Sequence, residues 1–202
     1  HDIAYPPGAC VFDIGANIGM FALFVQERCQ DARLFAFEPA PLAFEALRRN
    51  TALYCRDARV FNCGMAEQDG EATFTYYPKS SVFSSFHADA ATDGEAIRTI
   101  IDNAVQQDAR LAGADREALV DELIDGRLTA QAFTCRLRSL SSVIDEHGVE
   151  QINLLKIDAE KSELGILDGI EERHWALIKQ IVLEVHDPVG DGEHCVHRPA
   201  DL

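Results

Sequence analysis

Short apolar runs alternate with helical patterns along the first third of the chain. Ala9–Ile14 is an apolar run that stops at a glycine-containing turn, and Gly19–Arg28 then carries Phe21, Phe24 and Val25 at helical spacing. Leu34–Phe37 predicts a second strand, a helix after Pro39 runs through Phe44 and Leu47, and Arg59–Cys63 predicts a third strand. Apolar strands separated by helices predict a parallel sheet covered on both faces. Gly70–Tyr77 alternates in period two and predicts a strand added beside that sheet; a polar loop, Ser80–Ser85, follows. From about Asp93 to Phe133 the period is helical. Ile97, Ile100, Ile101, Ala104 and Val105 form one stripe and Leu119, Val120, Leu123 and Ile124 another, with Asp115 as an N-cap. This predicts a helical insert at about residues 87–135, acting as a lid, a docking surface or a plain cap. The parallel pattern resumes with strand Ile152–Ile157, helix Ser162–Ile170 and strand Ile178–Val185. The tail from Pro188 to Leu202 is polar, holds Gly190 and Gly192, and reads as a loop. The expected class is α/β, a mostly parallel sheet with helices on both faces, in a single domain over 1–202.

Composition narrows the partners. A chain of 202 residues suits one domain with one sizeable core. No apolar run reaches the roughly 20 residues needed to cross a bilayer, and the start lacks a signal-peptide pattern. A cytoplasmic location without a membrane partner is therefore expected. The chain starts at His1, so it is expected to be a fragment or excised domain. Acidic residues number 34 against 18 basic, a formal net charge of −16, which opposes the phosphate neutralisation that nucleic-acid binding demands. None of the six cysteines forms a C-x-x-C pair, and Cys10 and Cys63 sit in apolar strand-like stretches, the pattern of buried thiols in a reducing compartment. His87, His147 and His174 read as surface or cap residues, and Trp175 as packing.

The candidate chemistry gathers at predicted strand ends. Val11-Phe12-Asp13-Ile14-Gly15-Ala16-Asn17-Ile18-Gly19 follows a strand and opens a helix, where glycines let the backbone approach a ligand and turn sharply. A dinucleotide site wants G-x-G-x-x-G to cradle a pyrophosphate; this turn is D-x-G-x-x-x-G. S-adenosylmethionine (SAM) has no phosphate and presents an ammonium, a carboxylate and a sulfonium, so an acid at Asp13 suits it better. In Phe35-Ala36-Phe37-Glu38-Pro39, Glu38 ends the second strand, where a carboxylate can accept both ribose hydroxyls of a nucleoside. Asn62-Cys63-Gly64-Met65 is placed to flank the adenine, although Met65 is equally a core residue. Leu154–Glu160 is a strand ending in Asp158 and Glu160, and Leu183-Glu184-Val185-His186-Asp187 ends the next. If those strands are neighbours, Glu160 and His186 face one crevice. Methyl transfer to a hydroxyl needs a base, a role that suits a near-neutral histidine oriented by a carboxylate. The candidate set is then His186 and Glu160 for catalysis, and Asp13, Gly15, Ala16, Asn17, Gly19, Glu38, Pro39, Gly64, Met65 and Asp158 for the cofactor. His194 and His197, near Asp187 and Asp191, have a spacing that can ligate a metal, but nothing fixes their geometry and no metal is assigned.

V-F-D-I-G-A-N-I-G, F-A-F-E-P, S-L-S-S-V-I, L-L-K-I-D-A-E-K-S-E-L-x-x-L-x-G and V-L-E-V-H-D, in that order over residues 9 to 187, resemble the FkbM family of SAM-dependent O-methyltransferases. The resemblance implies a Rossmann-like class I methyltransferase fold. It also implies methylation of a hydroxyl on a natural product, a sugar or an acyl chain held on a carrier protein. Methylation of nitrogen or carbon, and a non-catalytic scaffold, are the alternatives. Three departures from the family stand out: Lys161 replaces a glycine, the insert is long, and only 15 residues follow Asp187. The last predicts that the closing strand pair of the fold is missing.

Overall fold

All five residues of β1 (Cys10–Ile14) are buried, which places this strand at the centre of the molecule. The computed structural model describes residues 3–77, 84–86, 98–99, 130–185 and 194–199. After β1 come α1 (Met20–Arg28), β2 (Arg33–Phe37), α2 (Pro41–Tyr54), β3 (Asp57–Phe61), β4 (Gly64–Met65) and β5 (Gly70–Tyr76). Then follow β6 (Gln131–Arg138), α3 (Leu140–His147), β7 (Leu154–Ile157), α4 (Glu163–Asp168), α5 (Glu172–Trp175), β8 (Gln180–Val185) and β9 (His194–Pro199). Six strands form one sheet in the order β3-β2-β1-β7-β8-β9. All pair parallel except β9, which runs antiparallel to β8.

The inner strands β1, β2 and β7 are mostly apolar because both faces are covered. Phe12, Ile14, Phe35, Phe37, Leu155 and Ile157 pack on one face with Leu140, Val143 and Ile144 of α3 and Ile166 of α4. The Phe12 and Phe35 rings stack at 4.7 Å, and Phe37 stacks on Phe61 at 4.9 Å. Val11, Leu34 and Leu154, one residue out of phase, face Ala22 and Val25 of α1. Each fully buried side chain of this size contributes roughly 1.5–3 kcal/mol. Replacing Phe12, wholly buried at the centre, by alanine would cost about 3–5 kcal/mol.

Local signals set the helix ends. Pro41 occupies the first turn of α2. Ser139 caps α3 by accepting from Ser142 N, and Gly148 ends that helix at φ 56. The chain steps outward from β1 to β2 and β3, then returns to β7 on the other side of β1. Loops leaving β1 and β7 therefore diverge at the carboxyl ends of the strands, the place where open α/β sheets bind ligands.

Several expectations are corrected. The alternating strand β5 joins no edge of the main sheet; it lies in a second sheet of order β4-β6-β5. Gln131–Phe133, expected to close a helix, already belongs to β6. The polar tail holds a strand, β9, paired along β8 from Gln180↔Pro199 to Val185↔His194, where a loop without a closing strand was expected. The third strand ends at Phe61, so Cys63 lies beyond it. His174 is no surface residue: it is 4% exposed. The chain divides into two compact units, His1–Thr73 with Thr134–Leu202, and Phe74–Phe133. Within the smaller unit, Tyr77 N donates to Ser84 Oγ at 2.9 Å, and Phe74 packs edge-on against Phe86. The insert expected at 87–135 lies outside the described residues except at 98–99 and 130–135. No described helix is long and apolar enough to cross a membrane.

Candidate active site at the carboxyl edge of the sheet

The turn after β1 is pinned at both sides. Gly15 N and Ala16 N both donate to Phe37 O, at 3.1 and 3.0 Å, which folds the turn back over the end of β2. Gly15 has φ +75, and a Cβ there would stand 1.8 Å from the Asp158 carbonyl oxygen. Only glycine fits so close an approach between the ends of β1 and β7. Asn17 takes the left-handed region at φ 49, which asparagine tolerates. Gly19 opens α1 at φ +89, with Leu47 Cδ1 2.8 Å from where a Cβ would stand. Asn50 Nδ2 donates to Ile18 O at 2.7 Å and ties the turn to α2.

Glu38 is the hinge pin between this turn and the second strand. Its Oε2 accepts Asn17 N at 2.8 Å and its Oε1 accepts Ala40 N at 2.9 Å. Only 7% of the residue is exposed. Burial pushes its carboxyl up to about 7, with the two backbone amides opposing. Two hydrogen bonds use half of a carboxylate's acceptor capacity, so two lone pairs remain for a ligand. Asn62 Nδ2 donates to Glu38 O and Pro39 O, at 2.8 and 3.1 Å, and holds the Glu-Pro turn. Gly64 and Met65 pair with Leu137 and Arg138 in the second sheet, and Met65 is buried in the main core cluster.

Lys156 is the residue that sequence reasoning passed over. It sits opposite Asp13 in the β1–β7 ladder. Its Nζ lies 3.1 Å from Asp13 Oδ1 and 3.1 Å from Asp158 Oδ2. Asp13 is wholly buried, and its Oδ2 has no hydrogen-bond partner among the described residues. Burial pushes the Asp13 carboxyl up, and the adjoining ammonium pulls it back. Burial also works against the Lys156 ammonium, but Asp13 and Asp158 outweigh it and raise its pKa. The signal was there to read: a lysine inside an apolar strand demands a counter-charge.

Asp158 follows β7 and its N donates to Ile14 O at 3.0 Å. Glu160 is part-buried two residues further, before Lys161 at φ 62, so the family's glycine position keeps a glycine-like backbone. β7 and β8 are neighbours, with Ile157 opposite Leu183, as the shared crevice required. His186, Asp187 and Asp191 lie outside the described residues. His194 and His197 fall on β9, opposite Val185 and Val182.

A serine–histidine–aspartate set elsewhere is structural. His174 Nδ1 lies 2.8 Å from Ser141 Oγ, and its Nε2 lies 3.3 Å from Asp145 Oδ1. Ser141 is 2% exposed and its Oγ accepts Glu171 N, so it ties α3 to α5 and meets no substrate. A concavity of about 380 Å³ between α1 and α2, lined by Leu23, Gln26, Glu27, Gln30, Tyr54 and Arg56, contains none of the acids or glycines described above.

Comparison with known proteins agrees with this geometry. Residues 13–197 match the model of the methyltransferase FkbM domain. The chain is 40% identical over 190 residues to 31-O-demethyl-FK506 methyltransferase FkbM of Streptomyces tacrolimicus, covering 94% of this chain and 70% of that one. It is 42% identical over 187 residues to AMB antimetabolite synthetase AmbE of Pseudomonas aeruginosa, of which it spans only 9%. Methyltransferase sdnD of Sordaria araneosa is 31% identical over 203 residues, 94% of this chain and 71% of the relative. The central parallel sheet with flanking helices is the class I methyltransferase fold, and the chain belongs to the FkbM family of SAM-dependent methyltransferases.

Proposed function

We propose that this chain methylates a hydroxyl of a natural-product intermediate, with SAM held at the carboxyl edge of the sheet and His186 as the base. The observation that carries the cofactor reading is the pair of buried acids, Asp13 and Glu38, on either side of the Gly15 turn. The residues fit SAM in three ways. Glu38 keeps acceptor capacity for ribose hydroxyls. The Gly15–Gly19 turn stands between the ends of β1 and β2, held by Phe37 O, and Asp13 and Asp158 offer negative charge to an ammonium. Asn62, Cys63, Gly64 and Met65 form the stretch assigned beside the adenine, and Pro39 belongs to the cofactor set with Glu38. SAM when bound supplies an electrophilic methyl on a positively charged sulfur.

The chain's own residues do the rest. The crevice would orient the acceptor oxygen in line with the methyl carbon, so that the O–C bond forms as the S–C bond breaks. Neutral His186 takes the hydroxyl proton as the oxygen attacks, and Glu160 orients the ring and stabilises the resulting imidazolium. A hydroxyl acceptor is supported by the similarity to a demethyl-FK506 methyltransferase. An acceptor tethered to an acyl carrier protein is supported by the 42% identity to a stretch of a synthetase. His186→Ala is expected to leave SAM affinity unchanged and slow turnover by roughly 100-fold or more. Equal loss of SAM binding would show a structural residue instead. Assays with a hydroxyacyl group free and carrier-bound decide between the two acceptor forms.

A further inference from the structure

We propose that Asn62 is a positioning residue for the ribose: by donating to the carbonyls of Glu38 and Pro39, it aims the Ala40 N–H at the Glu38 carboxylate and so fixes how that carboxylate meets the sugar hydroxyls. This rests on Glu38 receiving the ribose of SAM in the crevice described above.

The Glu38–Pro39 peptide has no donor of its own. Proline lacks an N–H, so the Glu38 carbonyl is the only polar group by which that plane can be held. Asn62 Nδ2 donates to it at 2.8 Å, and to the next carbonyl, Pro39 O, at 3.1 Å. Both partners are carbonyl oxygens, so the amide must present its NH2 group here and not its oxygen. In a planar trans peptide the carbonyl and the following N–H point in opposite directions, and no described peptide bond is cis. Holding Pro39 O toward Asn62 therefore aims Ala40 N the other way, where it donates to Glu38 Oε1 at 2.9 Å. The other oxygen, Oε2, accepts Asn17 N at 2.8 Å. Two amides grip the carboxylate, and Asn62 sets the direction of one of them.

The sheet puts residue 62 in place for this task. Glu38 N donates to Phe61 O at 3.0 Å, just beyond the last β2–β3 pair, Phe37↔Phe61. The next residue is Asn62, which leaves the ladder beside the Glu38–Pro39 turn. Its short amide carries two donors for two carbonyls, and a carboxylate of the same shape would carry none. Asn62 is exposed whereas Glu38 is buried, so removing the amide admits water to the two carbonyls and does not orphan them. The fold survives such a loss, and direction does not: the Pro39–Ala40 plane can turn and the grip on Oε1 loosens. Hydrogen bonds weaken steeply away from linearity, so a carboxylate that swings meets two hydroxyls poorly.

The test is calorimetric titration at pH 8, above the value of about 7 to which burial raises Glu38, with S-adenosylhomocysteine and its 2′,3′-dideoxy analogue as probes. The wild-type protein should bind the intact ribose more tightly. Asn62→Ala is expected to weaken S-adenosylhomocysteine on the order of tenfold, the worth of one hydrogen bond to a charged group, and to leave the dideoxy analogue unchanged. Combined with Glu38→Gln, it should add nothing to the loss that Glu38→Gln causes alone. Asn62 also begins the stretch assigned beside the adenine, and a disturbance there, or a merely structural role, weakens both probes alike. Unchanged affinity in Asn62→Ala, equal weakening of the two probes, or losses that add to those of Glu38→Gln overturn the role of Asn62 alone. A wild-type protein that binds neither probe, or both equally, refutes Glu38 as the ribose acceptor and the role of Asn62 with it.

Discussion

Substituting Gly15 by alanine places a methyl group where the Asp158 carbonyl already stands. The built Cβ lies 1.8 Å from that oxygen and 2.8 Å from its carbon, whereas real contacts do not fall below 3.0 Å. The ends of β1 and β7 must therefore part by more than an ångström, and the Asp158 N to Ile14 O bond at 3.0 Å spans the gap that opens. Holding a non-glycine residue at φ +75 costs about 1–2 kcal/mol. Loss of the ladder bond adds about 1 kcal/mol, and forced displacement of packed backbone about 1–3 kcal/mol more. A total of about 3–6 kcal/mol is a large share of a domain's usual 5–15 kcal/mol. Gly8→Ala is the control: its φ is +70 but nothing lies within 4 Å of its Cβ, so only the conformational cost of about 1–2 kcal/mol remains. Urea denaturation at matched slopes gives both values, and a SAM titration of the folded Gly15→Ala protein should show affinity reduced at least tenfold. If Gly15→Ala costs no more than Gly8→Ala, the close approach of the two strand ends is not what demands glycine, and the reasoning fails.

Glu38 ties stability and ligand binding to pH. Its carboxyl is raised from 4.5 to about 7, so its contribution to stability is fully present below about pH 4.5 and is lost as pH rises through 7, on the order of 3 kcal/mol in all. Thermal denaturation between pH 4.5 and 8 should show this fall, and Glu38→Gln should flatten it. In the proposed site ribose hydroxyls would donate to the ionised form, so SAM affinity should rise from pH 6 to 8 in wild type but not in Glu38→Gln; an equal rise in the variant would assign the pH effect elsewhere. Ser141→Ala removes the hydroxyl that accepts Glu171 N and lies 2.8 Å from the buried His174 Nδ1, and should destabilise by about 1–3 kcal/mol with turnover unchanged. A fall in kcat for that variant at a temperature where it is fully folded would contradict a structural role for the serine–histidine–aspartate set.

Much of the site was legible because its signals are local. The Gly15–Gly19 turn, the acid at Glu38 and the strand-to-helix changes around them each depend on a few neighbouring residues. Backbone sterics decide where glycine must stand, and hydrophobic period decides strand against helix. β1, α1, β2 and α2 accordingly fell within a few residues of expectation. Ser139 and Gly148 mark the ends of α3 by the same local logic, although that helix was quoted only as the motif S-L-S-S-V-I.

The elements that went astray share a different dependence. β9, His194–Pro199, has no clean alternation; its pairing uses the open backbone edge of β8, which is indifferent to side-chain pattern. Gly70–Tyr76 alternates as a strand should, but its sheet is set by strands β4 and β6, and β6 begins some 60 residues later. His174 has no local mark of burial, and only the meeting of α3 with α5 gives it Ser141 and Asp145 as partners. Lys156 and Asp13 stand 143 residues apart, and the β1–β7 register alone makes them a pair. The turn, the acids and the α/β alternation were readable residue by residue, since they follow from torsional and hydrophobic preferences within one or two turns of chain. Strand order, burial and the pairing of Lys156 with Asp13 and Asp158 emerged only in the folded molecule, because electrostatic and packing energies depend on distances between groups that the chain brings together last.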